Sequence, residues 1–203
     1  MFIKKLSAEN LMLHHAVFFD RDNTLNYDPG YIGNPDLVKL FPDVPWGIAK
    51  LKNELKFKIV VISNQSGITR GKITEDDVIS VNTKINDLLK KEGTEIDRFY
   101  HCPFHPDYDS EEDCKCRKPS PQMIFDAEKE MKLDLTKSYF VGDKATDVLC
   151  GINAGIKTVL INSDNYDEEI NILINENKSP NFVAANFREA TNFIYNDFTG
   201  AQV

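Results

Sequence analysis

The chain has 203 residues, 41% of them hydrophobic, which is enough for one substantial core or for one core with a small insert. Its formal net charge of -8 and pI near 5.0 speak against a general nucleic-acid or membrane-surface binder, because both partners attract a basic face. No apolar run approaches the length of a membrane-spanning helix. The opening MFIKKLSAENLMLHH is broken by Glu9 and two His where a signal peptide would be apolar. A soluble, cytoplasmic protein is expected, with this segment a short lead-in to the first strand.

Residues 16–19 (AVFF) form the first predicted strand, which ends on DRDNT. The stretch 26–35 (NYDPGYIGNP) is rich in Pro and Gly and reads as a loop. Val44, Ile48, Leu51 and Leu55 recur at helical spacing over 44–55, with Trp46 near the start in a packing role. Residues 58–63 (KIVVIS) are a continuous β-branched run, the pattern of a strand buried on both faces, and lead into the polar loop NQSGITRG. Thr74 then caps a helix with early acids, late lysines and a closing Gly. A short strand over 98–101 precedes a Cys-rich stretch, and 120–131 reads as a helix with Pro121 in its first turn. Residues 138–141 give another strand, GDKATD opens a helix to about Asn153, and 157–161 (KTVLI) follow as a strand. A last edge strand falls at 182–184. Beyond it, residues 162–203 yield no more than one or two helices.

Strands alternating with helices specify a parallel sheet with helices on both faces. One domain over the whole chain is expected, with 102–117 as an insert. In such a sheet ligands sit outside the carboxyl ends of the strands. There the chain would gather Asp20, Asp22 and Asp143 with the Ser63 hydroxyl and Lys118. Hard carboxylate oxygens suit Mg²⁺, and Lys and Ser suit the phosphoryl oxygens that remain. One Asp can then attack phosphorus while another moves protons. Taken singly, each has an ordinary structural reading: turn acids, a capping Ser, a solvated Lys118–Arg117 pair, acids at a helix N-terminus. Four at one edge favour the chemical reading. Cys102, His105, Cys114 and Cys116 make the ligand set of a closed structural Zn²⁺ site, in a loop with little apolar content of its own. Cys150 reads as a buried helix residue.

FDRDNTLNYDPGYI, SNQSGITRGKIT, YHCPFHP, CKCRKPSPQM and VGDKATD together resemble the haloacid dehalogenase-like phosphatases. Within them they resemble the D-glycero-D-manno-heptose-1,7-bisphosphate phosphatase branch and its histidinol-phosphate phosphatase relative. The resemblance spans about residues 16–161. It implies a Rossmann-like, doubly wound α/β fold without a large cap domain. It also implies Mg²⁺-dependent removal of the 7-phosphate through an aspartyl-phosphate, in the supply of nucleotide-activated heptose or cell-envelope polysaccharide. Asp20 would be nucleophile and Mg²⁺ ligand, Asp22 the general acid/base reaching the ion through its carbonyl, Asp143 a further ligand, and Asp147 a support behind them. Ser63 and Lys118 would hold the transferring phosphoryl group. Asp28, Tyr31, Asn64, Gln65, Ser66, Arg117 and Lys144 would contact substrate, although loop polar residues also serve as turn formers. Zinc is implied for the Cys loop, but the His stands one residue late, with Phe104 in its usual place; the alternatives are a three-Cys site completed by another ligand, or a metal-free loop held by other contacts. Asn23 stands where the family more often has Gly; Asn tolerates left-handed backbone angles better than most residues, so no loss of activity is expected. A monomer acting on a small sugar bisphosphate is expected, with histidinol phosphate or another small ester as the alternative substrate. A zinc-organised phosphate-binding module that lacks catalysis is the non-enzyme alternative.

Overall fold

A computed structural model describes residues 14–201. Six parallel strands lie in the order β3-β2-β1-β4-β5-β6, with β1 at Ala16–Phe19, β2 at Lys58–Asn64, β3 at Arg98–Cys102, β4 at Tyr139–Gly142, β5 at Lys157–Ile161 and β6 at Phe182–Ala184. Every strand expected from sequence is present within a residue or so of its bounds. The helices are α1 (Val44–Leu55), α2 (Glu75–Lys91), α3 (Gln122–Met131), α4 (Ala145–Asn153), α5 (Tyr166–Asn175) and α6 (Phe187–Thr199).

Why the sheet is covered on both sides follows from alternation along the strands. Val17 and Phe19 point with Ile59 and Val61 into a core closed by α1, α2 and α6, through Ile48, Leu51, Val81, Ile85 and Ile194. Ala16 and Phe18 point the other way with Val60 and Ile62, onto Met123, Ile124 and Cys150 from α3 and α4. Burying either Phe contributes about 1.5–3 kcal/mol, so a one-residue slip of β1 is strongly disfavoured. Thr74 caps α2 as expected: the Asp77 N–H donates to Thr74 Oγ1 and the Thr74 N–H to Asp77 Oδ2.

β1 is flanked by β2 on one side and β4 on the other, the point where strand order reverses and a crevice opens at the carboxyl ends. Trp46 packs, as expected, but at the surface rather than in the core. It is 37% exposed, and the Arg188 guanidinium of α6 lies 4.2 Å from its ring centroid. Among the described residues no helix is long and apolar enough to cross a membrane.

Candidate active site

Asp20 leaves the end of β1 and is tied to β4 by its own N–H, which donates to the Val141 carbonyl at 2.9 Å. Asp143 follows β4. Asp147 sits in the first turn of α4 and accepts from the Lys144 N–H at 3.1 Å. One carboxylate oxygen from each of the three lies within 4.8 Å of the others, and all three residues are buried. Asp147 thus joins the cluster itself rather than supporting it from behind. Gly142 permits this, because a Cβ there would collide with the Asp147 carboxylate.

Lys118 is buried between these acids, its Nζ 2.6 Å from Asp20 Oδ1 and paired also with Asp147. It donates to the Ile62 carbonyl as well, at 2.9 Å. Burial alone would lower its pKa, yet Asp147 and Asp20 more than reverse that, so Lys118 stays charged. Three buried carboxylates facing one buried ammonium, with the more exposed Lys144 at their edge, are short of positive charge. Asp143 shows the deficit: burial, then Asp20 and Asp147, push it up to about 8. Burial pushes Asp20 up to about 6, with Lys118 pulling the other way. A hard divalent cation fits this donor set, and the residues that would hold Mg²⁺ are Asp20, Asp143 and Asp147.

Asp22 lies outside that triad. Burial works to raise its pKa, but Arg21, Gln65 and Asn26 together hold it below the ordinary carboxylate value. Arg21 grips it with a two-pronged fork, Nε to Oδ1 at 3.0 Å and Nη2 to Oδ2 at 2.9 Å, and is itself 1% exposed. Gln65 donates to Asp22 Oδ2 (2.8 Å) and Ser63 Oγ (2.7 Å) while accepting from Arg21 (3.0 Å). Asn26, fully buried, donates to Asp22 Oδ1 at 3.1 Å. Arg21 and Asn26 escaped the sequence reading. The available signal for Arg21 was an arginine set between two aspartates directly after a buried strand; Asn26 had none.

Asn64 and Gln65, expected to meet sugar hydroxyls, are spent inside the protein. Asn64 exchanges two hydrogen bonds with the Lys118 backbone, at 3.0 and 3.2 Å, and so fixes where that lysine starts. Asp28 accepts from the Gly30 and Ile32 N–H groups and shapes the 28–32 turn; Asn23, at φ 60°, accepts from the Asp28 N–H. Tyr31 is 44% exposed, while Ser66 and Arg117 are half-buried. Lys144 stands at the N-cap of α4; burial opposes its charge, and Asp20, Asp143 and Asp147 outweigh burial. A cavity of about 570 Å³ opens beside Asp143, lined also by Thr24, Asp28 and Tyr27.

The expected zinc tetrad is not assembled. Cys102 and Cys116 form a disulfide, and Cys114 stands free. His105 Nε2 lies 2.9 Å from Arg70 Nη2, and its Nδ1 accepts from the Asp107 N–H. Phe104 packs into the core behind the sheet, which leaves its neighbour His105 turned to Arg70 rather than to the thiols. In this arrangement the four residues do not fit a zinc ion. Cys150 is buried as expected.

A single parallel sheet between two layers of helices, with an acid triad and a buried lysine at its reversal point, is the arrangement of the haloacid dehalogenase-like class. A family model described as "HAD-hyrolase-like" matches residues 115–190. The D-glycero-D-manno-heptose-1,7-bisphosphate 7-phosphatase of Chlorobaculum tepidum is 40% identical over 164 residues, covering 76% of this chain and 82% of that one. The D-glycero-beta-D-manno-heptose-1,7-bisphosphate 7-phosphatase of Yersinia pestis is 38% identical, over 72% and 79%. In fold, the chain is similar to the D,D-heptose 1,7-bisphosphate phosphatase from B. bronchiseptica, solved with magnesium and phosphate, at a TM-score of 0.77 and 24% identity over 90% and 99%. The chain belongs to the D-glycero-D-manno-heptose-1,7-bisphosphate 7-phosphatase family of haloacid dehalogenase-like hydrolases.

Proposed function

We propose that the chain is a Mg²⁺-dependent phosphatase removing the 7-phosphate of D-glycero-D-manno-heptose 1,7-bisphosphate. The observation that carries this reading is the Asp20–Lys118–Asp143 cluster in a chain 40% identical to a phosphatase of that name. Mg²⁺, when bound, would neutralise the phosphoryl oxygens and orient the ester. Asp20 then attacks phosphorus, forming an aspartyl-phosphate as the sugar oxygen leaves. Lys118 and the Ser63 hydroxyl hold the transferring group, and positioning plus charge supplies most of the acceleration.

Asp22 rests as an ionised base, since its four hydrogen bonds come from donors. An anionic phosphate brought beside it raises its proton affinity, so that Asp22 takes up a proton from solvent with the substrate, gives it to the leaving oxygen, and as the carboxylate so regenerated accepts a proton from the water that attacks the phosphoenzyme. Asp147 completes the cation's ligands. A cytoplasmic monomer formed of one domain is part of the same reading. Zinc on Cys102, His105, Cys114 and Cys116 would require an open disulfide and a turned His105. One equivalent of zinc in protein purified with reductant would establish it, and metal-free protein would leave the disulfide as the loop's cross-link.

The test is kcat/KM of the purified protein on heptose 1,7-bisphosphate against histidinol phosphate. A preference of about 100-fold or more for the bisphosphate is expected, the size of two charged contacts to a second phosphate. A preference for histidinol phosphate overturns the substrate.

A further inference from the structure

Arg21 stands between Asp20 and Asp22 in the chain and is 1% exposed, though the chemistry above gives it no step. Among the described residues Asp22 is the one carboxylate it pairs with. Desolvation offsets most of the attraction within a buried ion pair, so stability alone is a weak reason to bury one. What the pair fixes is direction. Arg21 Nε donates to Asp22 Oδ1 at 3.0 Å and Nη2 to Oδ2 at 2.9 Å, which ties both oxygens to one planar edge and sets the plane of the carboxylate. Held in this way, Asp22 still keeps 16% of its side chain exposed, open to an incoming ester.

A long arginine side chain is a poor template unless it is itself held. Helix α2 holds it: Arg21 Nη1 donates to Asn82 Oδ1 at 3.1 Å, across 61 positions of sequence. Nη2 also donates to Gln65 Oε1 at 3.0 Å, in the turn after β2. The helix is a firm support, since Val78, Val81, Ile85 and Leu89 bury one of its faces and the Thr74 capping box closes its start. The orientation of Asp22 is thereby referred to a packed helix rather than to the loop that carries it.

We propose that Arg21 and Asn82 are positioning residues for proton transfer: Asn82 seats the guanidinium, and the guanidinium aims the Asp22 carboxyl at the departing oxygen. The inference rests on the phosphatase reading and deepens it. As the Asp20 oxygen bonds phosphorus, the bond from phosphorus to the sugar oxygen breaks. Its electron pair stays on that oxygen, which takes the proton of Asp22. A sugar alkoxide is a strongly basic leaving group and needs the proton in place; p-nitrophenolate is a stable anion and does not.

The experiment measures kcat/KM for heptose 1,7-bisphosphate and for p-nitrophenyl phosphate in wild type, Arg21→Lys, Asn82→Ala and, as the reference, Asp22→Asn. This constant stops at the first irreversible step, so hydrolysis of the aspartyl-phosphate, shared by both esters, does not enter it. For Asp22→Asn the heptose-to-aryl ratio should fall about 10²-fold or more, the size of a general acid. For Arg21→Lys, which keeps a charge but not the fork, it should fall about 10- to 100-fold. For Asn82→Ala, the milder change should Arg21→Lys fail to fold, it should fall about 3- to 10-fold, the size of one hydrogen bond. A ratio left unaltered in the Arg21 and Asn82 variants overturns the inference: with both rates lowered alike the pair only braces the loop, and with neither lowered it aims nothing. A ratio unaltered in Asp22→Asn takes proton transfer from Asp22 and the inference falls with it. Should wild type prefer histidinol phosphate, the same ratio is read with that alkyl ester, so the substrate reading can fail alone.

Discussion

The rim where β1 and β4 end and the loop over residues 102–117 contain equally suggestive residues, yet they differ in what places them. At the rim, strands fix direction: Asp20 and Asp143 emerge from β1 and β4, whose backbones are paired in register, and Lys118 reaches in where Asn64 anchors it. In the loop, side chains settle by local partners, so His105 turns to Arg70 and Cys102 pairs with Cys116. Chemistry built on strand ends survives small changes of spacing. Chemistry built on a loop does not.

The sharpest way to break this comparison is Asp20→Asn, which should lower Mg²⁺-dependent phosphate release from an aryl phosphate by about 10⁴-fold or more, as loss of a nucleophile does. Substantial residual turnover would remove Asp20 from the chemistry. Asp143→Asn should cost on the order of 10²- to 10³-fold in kcat. It should also make the metal-free protein more stable than metal-free wild type at pH 8, and not at pH 5, because it removes a carboxylate that the fold keeps protonated to about 8. Thermal unfolding in EDTA reads that difference.

The same raised values give a pH dependence. Asp20 and Asp143 bind protons more tightly folded (about 6 and about 8) than at their ordinary 3.8, so the folded state holds more protons across that window. Their contribution to stability is therefore greatest below the ordinary value and is lost as pH rises through about 4 to 8. Lys118, raised from 10.5, adds no slope there. Mg²⁺ should offset the loss, and its increment in Tm should grow from pH 5 to pH 8. An increment constant with pH would contradict a cation held by these acids.

Gly142→Ala should destabilise by about 1–3 kcal/mol by forcing the Asp147 carboxylate aside, measured by urea denaturation. The smallest effect belongs to the loop: Cys114→Ser should leave kcat within about twofold and Tm within a few degrees, since a partly exposed free thiol without a structural partner contributes little. A larger drop in Tm would revive the zinc tetrad.

Most of the sheet was legible because β-branched runs and turn residues mark strands whatever surrounds them, and the acids at strand ends came with it. What was hidden depends on approach through space. Spacing put Asp147 one helical turn after Asp143, but only the bare backbone of Gly142 explains how close it comes. Asn64 and Gln65 look like ligand contacts in a polar loop, and nothing local reveals that Lys118 and Asp22 consume them. Trp46 meets its partner Arg188 from α6, 142 residues further on (188 less 46), beyond the reach of periodicity.

Rapid mixing with heptose 1,7-bisphosphate and Mg²⁺, acid quenching and peptide mass spectrometry test the central claim most directly, best in Asp22→Asn, where breakdown of the intermediate slows. The account predicts a phosphoryl group on Asp20 that accumulates further in the variant. A phosphoryl group on another residue, or none on Asp20 while phosphate is released, would contradict it.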